Sequence, residues 1–577
     1  MSLIRTPRRF ENRQRRHSFP GLHLEVLEDR LQPSASFLGQ PWDFLASDLM
    51  QPDLDSPSAA SDKAAHFRSG DSDGLIRPTL AATGISAAAG QKVDLGAVAQ
   101  PATPSPTAKI SAPFLPAVTP TLGAPQQGLS ATASHSVNVQ LQQGHHLTQI
   151  QTTITLRTDQ IALSAATAHV VQHIGGNANQ NWATYVTGTA TTATGQGLVQ
   201  DSSGNVYVTG STDEGTTKAA FVAKYDPTGN LLFFKKFQAK DVSTGITDNH
   251  SEGHAIGLDG NGDIYVTGKA TNPTSRLQDA FIMRFSGTGV VDPTYGVGFD
   301  TGGLGNVSGN GLVVAADGTA TLVGTARFFG NDIFLAVIGP DGSVSISATH
   351  AFAPGSFVDS QGQQVFTSTV GNGIALNADG SLAYISGTGT HPGGDTDIMA
   401  MLVDTNSGGQ AIAGFSYVPN AGNDSGNGIA VGADGTVYQA ATSTIQSNGQ
   451  SSTYATVIAW QGSLASANYG VYDQNTLTGT GIAVDPSGNA YLTGTATDLL
   501  GNTRALADLL DSTGAIADTL LIADNGSGQE SGAAVVYSQD GTAYLTGNTS
   551  SSNLSTDGSA LNGDQDAFLA NVGGFMF

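Results

Sequence analysis

From residue 181 onward, short apolar runs alternate with polar separators built from Asp, Asn, Ser, Pro and Gly. One stretch sets the pattern: Leu198-Val199-Gln200, Val206-Tyr207-Val208-Thr209, Ala220-Phe221-Val222-Ala223-Lys224-Tyr225 and Leu231-Leu232-Phe233-Phe234, with Asp201 to Asn205 and Asp226 to Asn230 as separators. Brief runs rich in β-branched and aromatic residues, bounded by such clusters, predict strands. In the separators Asp or Pro opens a tight turn and Gly supplies the positive φ that closes it.

The same unit returns along the chain. It reads Gly481-Ile482-Ala483-Val484-Asp485-Pro486-Ser487-Gly488-Asn489-Ala490-Tyr491-Leu492-Thr493-Gly494, and versions begin at Gly197, Ala255, Gly311, Gly373, Gly428, Gly481 and Ala534. The closing residues Gly210, Gly268, Gly324, Gly387, Ala441, Gly494 and Gly547 are 58, 56, 63, 54, 53 and 53 residues apart. Spacing this uneven suits one supersecondary unit with variable loops. Four strands per unit predict a propeller blade, and seven copies predict an all-β, seven-bladed β-propeller of four-stranded blades.

Runs such as Ile398-Met399-Ala400-Met401-Leu402-Val403 are apolar without alternation, as expected of strands buried on both faces between neighbouring blades. Tyr207, Tyr265, Tyr438, Tyr491 and Tyr544 recur at one position and are expected to fill the gaps between blades. Tyr384 comes one residue late, which predicts a bulge. The seventh copy supplies only three strands, ending at Ala567 to Val572, whereas Asn181-Trp182-Ala183-Thr184-Tyr185-Val186 is an orphan strand ahead of the first copy. Pairing the two would close the ring and satisfy an otherwise open edge.

Composition divides the chain of 577 residues. Of 74 glycines, 62 lie in 181–577, where they serve turns, while 14 of 22 prolines lie in the first 180 residues. Residues 35–180, rich in Ala, Ser, Thr, Gln and Pro, read as a low-complexity spacer, because such a segment buries too little apolar surface to offset its ordering entropy. Within it, residues 140–180 include Ile150 to Leu156 and Ala168 to Ile174, apolar enough to pack locally.

Residues 1–34 begin with Arg5, Arg8, Arg9, Arg13, Arg15 and Arg16, and charges interrupt the apolar run that a secretory signal requires. A disordered basic arm is one reading. Against it, Val26-Leu27-Glu28-Asp29-Arg30-Leu31-Gln32-Pro33-Ser34 is similar to the LEDR-type N-terminal tag of exported bacterial proteins, which implies export to the cell surface or medium.

The net charge of -24 sits wholly in the repeats, which carry 10 basic and 34 acidic residues against 13 and 13 before them. An anionic surface without clustered Lys and Arg argues against nucleic acid, and no apolar window is long enough for a membrane-spanning helix. With no cysteine, any metal would need oxygen or imidazole ligands, and no cofactor is expected.

The string Asp201 to Thr212, followed by Ala220 to Asp226, resembles the bacterial SBBP beta-propeller repeat. That resemblance spans 181–577 and implies exported or surface proteins with repeat domains and no assigned chemistry. The third copy departs from it at Thr321 and the fifth at Ala441.

Gln196, His254, Asn310, Asn372, Asn427 and Thr480, with Ala533 in the seventh copy, stand just before the innermost strands. As a polar ring at the mouth of the central channel they are the candidate ligand-binding residues; as local caps of loop backbone they would bind nothing. His250, Glu252 and His254 are weak candidates for a metal site, since no helix sets them on one face. Asp259, Asn261 and Asp263 imitate half a calcium loop but read better as an Asx turn. Asp279, Asp332, Asp397 and Asp566 read as strand-entry turns.

No nucleophile elbow or phosphate loop is present. The expectation is therefore a non-catalytic binding or structural module with an unknown protein or polysaccharide ligand. A carbohydrate-active lyase or hydrolase acting at the channel mouth, and a purely structural wall component, are the alternatives.

Overall fold

The computed structural model describes residues 147–150, 153–159, 164–165, 171–174, 182–186, 192–241, 246–247, 250–344, 350–406, 409–417, 422–447, 450–461, 464–471, 476–522, 528–556, 559–561 and 563–572. The expected export tag and nearly all of the spacer lie outside them. The described fold is a β-propeller built from four-stranded antiparallel units. Sheet 1 runs Thr192–Gln200, Val206–Asp213, Lys218–Tyr225, Leu231–Phe237 in spatial as in chain order. Sheets 2 to 6 repeat that order from Ser251–Leu258, Val307–Val314, Ser368–Leu376, Ser425–Val431 and Thr476–Val484, and sheet 7 starts at Glu530–Tyr537. A two-stranded ribbon joins Lys240–Asp241 to Ile246–Thr247.

Every inner strand carries a bulge at one place. In sheet 1 the register runs Gly195 opposite Gly210, then Gly197 opposite Thr209, leaving Gln196 unpaired. The same shift falls at His254, Asn310, Asn372, Thr480 and Ala533. It explains the closing glycines, because a Cβ at Gly210, Gly268 or Gly494 would stand 1.8, 1.8 or 1.6 Å from the carbonyl oxygen of Thr194, Glu252 or Thr478. Sheet 5, which has Ala441 there, has a longer irregularity that leaves Asn427 and Gly428 facing Ala440.

The extra residue before Tyr384 does not add a bulge of its own. It widens the turn, which the Asn377 N–H closes on the Leu382 carbonyl five residues on, where Asp201 closes on Asn205 four residues on. A longer turn absorbs an insertion without shifting the ladder, so Tyr384 keeps its place opposite Ala375.

The core is a set of wedges between adjacent sheets. Tyr207 packs with Ile256 and Val266 of sheet 2, Tyr265 with Leu322 and Phe334 of sheet 3, and Tyr544 with Val206 and Val208 of sheet 1. The recurring tyrosine thus fills the inter-sheet gap, as its spacing predicts. Where Thr321 replaces it, Phe352, Phe357 and Phe366 occupy the wedge between sheets 3 and 4.

The orphan strand does close sheet 7: Trp182–Tyr185 pairs antiparallel with the last strand, Tyr185 opposite Phe568 and Trp182 opposite Asn571. Upstream of it the chain departs from the expected boundary at 181. Thr148–Ile150 pairs parallel with His350–Phe352 of sheet 3, and the end of Ile154–Asp159 with the outer strand of sheet 4. Ser164–Ala165 then pairs with sheet 5 and Val171–Ile174 with sheet 6. These segments form a belt that occupies outer edges otherwise left with unpaired backbone groups. Leu147, Ile154 and Leu156 are buried, so the described fold extends upstream of residue 181 to Leu147.

Candidate functional site

The bulge presents one unpaired residue per sheet at the axis, and these are the residues expected to form the channel-mouth ring. Their side chains reach sideways to the next sheet. Asn310 Nδ2 donates to the Gly371 carbonyl at 2.7 Å, Asn372 Nδ2 to Gly426 at 2.7 Å, and Asn427 Nδ2 to Gly479 at 2.6 Å. Thr480 Oγ1 donates to Gly532 at 2.9 Å, and His254 Nδ1 lies 2.9 Å from the Gly309 carbonyl, which fixes the proton on that nitrogen. Each clamp grips the carbonyl just before the next ring residue. At the junction of sheets 7 and 1, Ala533 has nothing to donate, and the Gly195 N–H instead donates to Asn548 Oδ1 at 3.0 Å.

The donors of five of the six polar residues are engaged in holding neighbouring sheets together. Gln196, the sixth, is exposed. Gly197, Gly373 and Gly481 pack close to the inner strand of the next sheet: a Cβ on them would meet backbone atoms at 2.7 to 3.0 Å.

The weak metal candidates do not converge. Glu252 is paired with Lys218 at 2.9 Å and Lys269 at 3.2 Å, while His254 Nε2 stands 3.8 Å from it and His250 is exposed. The imidazole and the two ammonium groups hold the Glu252 carboxyl below the usual carboxylate range, so the charge that a metal would need is already neutralised. Asp259 Oδ1 accepts the N–H groups of Asn261 and Asp263, both at 2.9 Å, which is the expected Asx turn.

Sequence reasoning undervalued the aspartates that open the third strands. Asp279, Asp332, Asp397 and Asp566 are buried. Asp332 Oδ2 accepts from Gln149 of the belt at 3.2 Å. Asp397 Oδ2 meets His391 Nε2 at 2.6 Å and accepts from Ser416 Oγ at 2.8 Å. The signal available in sequence was His391-Pro392-Gly393-Gly394-Asp395-Thr396-Asp397, a tight loop with an imidazole and two carboxylates.

Residues 181–215 and 469–501 match the SBBP beta-propeller repeat family. Between them these SBBP segments cover the closing strand with the start of sheet 1, and the start of sheet 6. No curated protein matches the chain. Among solved structures, a PL25 ulvan lyase is 12% identical over 66% of this chain and 94% of its own, with a TM-score of 0.43. A virginiamycin B lyase from Staphylococcus aureus is 11% identical over 68% and 99%, with a TM-score of 0.36. A protein of unknown function from Dyadobacter fermentans is 10% identical over 68% and 97%, with a TM-score of 0.37.

Buried acids give the propeller a pH dependence. Burial pushes Asp332 and Asp508 up to about 7, so each holds its proton in the folded state up to that pH while the unfolded chain releases it near 4. Between those values the unfolded state binds fewer protons, and stability falls as pH rises from about 4 through 7. Turn acids such as Asp226, held down to about 2 by its hydrogen bonds to Asn230 and Thr228, act in the opposite sense only below about 4. The expected melting temperature is therefore higher at pH 5 than at pH 8, and Asp332→Asn with Asp508→Asn should narrow the difference. Equal melting temperatures at the two pH values would refute this account.

Proposed function

We propose that the chain is a non-catalytic binding module, a ring of seven blades exported to the cell surface, which binds a protein or polysaccharide ligand on one face. Seven sheets of four or more strands support the blade count, and the LEDR-type start of the chain supports export.

The observation that carries the reading is where large apolar side chains meet solvent. With antiparallel order in every sheet, the loops between strands two and three share one face with the connections to the next sheet. Phe329, Leu499 and Leu500 lie on such loops and Leu304 on such a connection, and the first three are 93%, 88% and 87% exposed. The other exposed residues of this kind among the described residues, Leu231, Leu232, Val290 and Ile412, lie in or beside outer strands at the rim. Exposed apolar groups set among polar loops mark interaction surfaces.

The test is a glycan and peptide array probed with the full chain. Saturable binding is expected, weakened at least tenfold by Phe329→Ala combined with Leu500→Ser. Asn310→Ala, Asn372→Ala and Asn427→Ala should leave binding intact but each lower stability by about 1 kcal/mol or more, because the facing carbonyl loses its donor. Binding lost in the asparagine variants and kept in the loop variant would instead place the ligand at the channel mouth.

A second reading, a carbohydrate-active lyase or hydrolase, draws on the pairing of His391 with buried Asp397 at the same loop face. Turnover of any polysaccharide, lost in His391→Ala, would replace the non-catalytic reading.

A further inference from the structure

The loop between the second and third strands of sheet 4 gathers His391, Asp395 and Asp397 so that one donor atom from each lies within 4.8 Å of the others. The loop is tight: the His391 N–H donates to the Asp395 carbonyl and the Gly394 N–H to the His391 carbonyl, both at 2.9 Å, with Gly394 at φ 94°. Phe366 packs against the imidazole at 5.1 Å between ring centres.

The loop is tied to the connection into sheet 5. Asp424 is fastened to Thr396, the residue between the two loop aspartates, by its N–H to the Thr396 carbonyl at 2.8 Å and by Thr396 Oγ1 to its own carbonyl at 2.7 Å. Its side chain is 1% exposed. Asp424 Oδ1 accepts the Thr444 N–H at 2.6 Å, but Oδ2 is buried with no hydrogen-bond partner among the described residues.

Buried carboxylates of one sign call for a cation. From Phe328 to Thr503 the sequence contains twelve aspartates and neither a lysine nor an arginine, so sheets 4 and 5 offer neither ammonium nor guanidinium from their own four-stranded units. His391 is the only partner that Asp397 has in an ion pair among the described residues.

We propose that His391, Asp395 and Asp397 form a site for a first-row divalent cation of the Zn2+ or Mn2+ class, on the loop that Asp424 fastens to the entry of sheet 5. One imidazole nitrogen with two carboxylate oxygens suits those ions better than Ca2+, which prefers an all-oxygen shell. Metal bonds of about 2.0 to 2.2 Å set neighbouring ligand atoms about 3 Å or more apart, so the hydrogen bond between His391 and Asp397 opens as the ion enters. The inference does not depend on the binding-module reading.

The test is calorimetric titration of ZnCl2 and MnCl2 into the full-length chain after treatment with chelator. One ion per chain is expected at micromolar affinity, weakened at least tenfold in both His391→Ala and Asp395→Asn. Asp395 is exposed, so the second variant tests the site without disturbing the core. Absence of saturable binding by either ion, binding by CaCl2 alone, or equal affinity in wild type and Asp395→Asn would each overturn the proposal. The last outcome would assign the metal to other side chains, such as His145 and His146.

Discussion

Gly494→Ala is expected to destabilise the propeller by about 3 kcal/mol or more, seen as a lower denaturation midpoint in urea. The added Cβ would stand 1.6 Å from the Thr478 carbonyl oxygen and 2.7 Å from its carbon. Neither atom belongs to a flexible side chain, so only the backbone can yield. Yielding means redrawing the bulge at Thr480, whose hydroxyl reaches the Gly532 carbonyl of the next sheet. The cost therefore includes a clamp between sheets as well as local strain.

Sheet 5 provides the internal control. Its Ala441 is accommodated by a longer unpaired stretch at Asn427 and Gly428, so Ala441→Gly should change stability by less than about 1 kcal/mol. If Gly494→Ala moves the midpoint no further than Ala441→Gly does, the steric account of the closing glycine is wrong.

The repeat was legible because its information is local. Asp201 accepts the N–H groups of Ser203 and Asn205 at 2.9 Å, and Gly204 takes φ 82°, a turn that needs no help from the rest of the chain. The ring positions were legible for the same reason, since a polar residue between two glycines recurs in most copies. What they do was not. The acceptors of Asn310, Asn372 and Asn427 are main-chain carbonyls 61, 54 and 52 residues away, and a carbonyl carries no sequence signature. Only the packed ring tells a clamp from a ligand contact.

Distance also hid the His391 cluster. Its two carboxylates are near the imidazole in sequence, but Asp424, which ties their loop to the next sheet, arrives from the next repeat through Thr396. Read singly, Asp397 resembles Asp279 and Asp566, and the position looks like a turn.

Ile154→Ala together with Leu156→Ala is expected to lower stability strongly, each alone by about 2 to 5 kcal/mol. Composition marks residues 35–180 as spacer, and although Ile150 to Leu156 are apolar enough to pack locally, nothing in them announces the partner, residue 414 and beyond. A parallel outer strand takes its hydrogen bonds from an existing edge and needs only a few buried side chains. Here these are Ile154 and Leu156, 4% and 3% exposed, packed with Val323, Ile333, Leu335 and Phe357 in the wedge between sheets 3 and 4. Gly414 makes room for both: a Cβ there would meet Ile154 Cγ2 at 2.8 Å and Leu156 Cδ2 at 2.9 Å. Because the two side chains share that cavity, their losses should not add fully. A chain cut at the compositional boundary, beginning at residue 181, lacks the whole belt and should melt well below the full-length protein. If it melts at the same temperature, and the double variant with it, then the belt merely lies on the propeller and the fold begins where the repeats do.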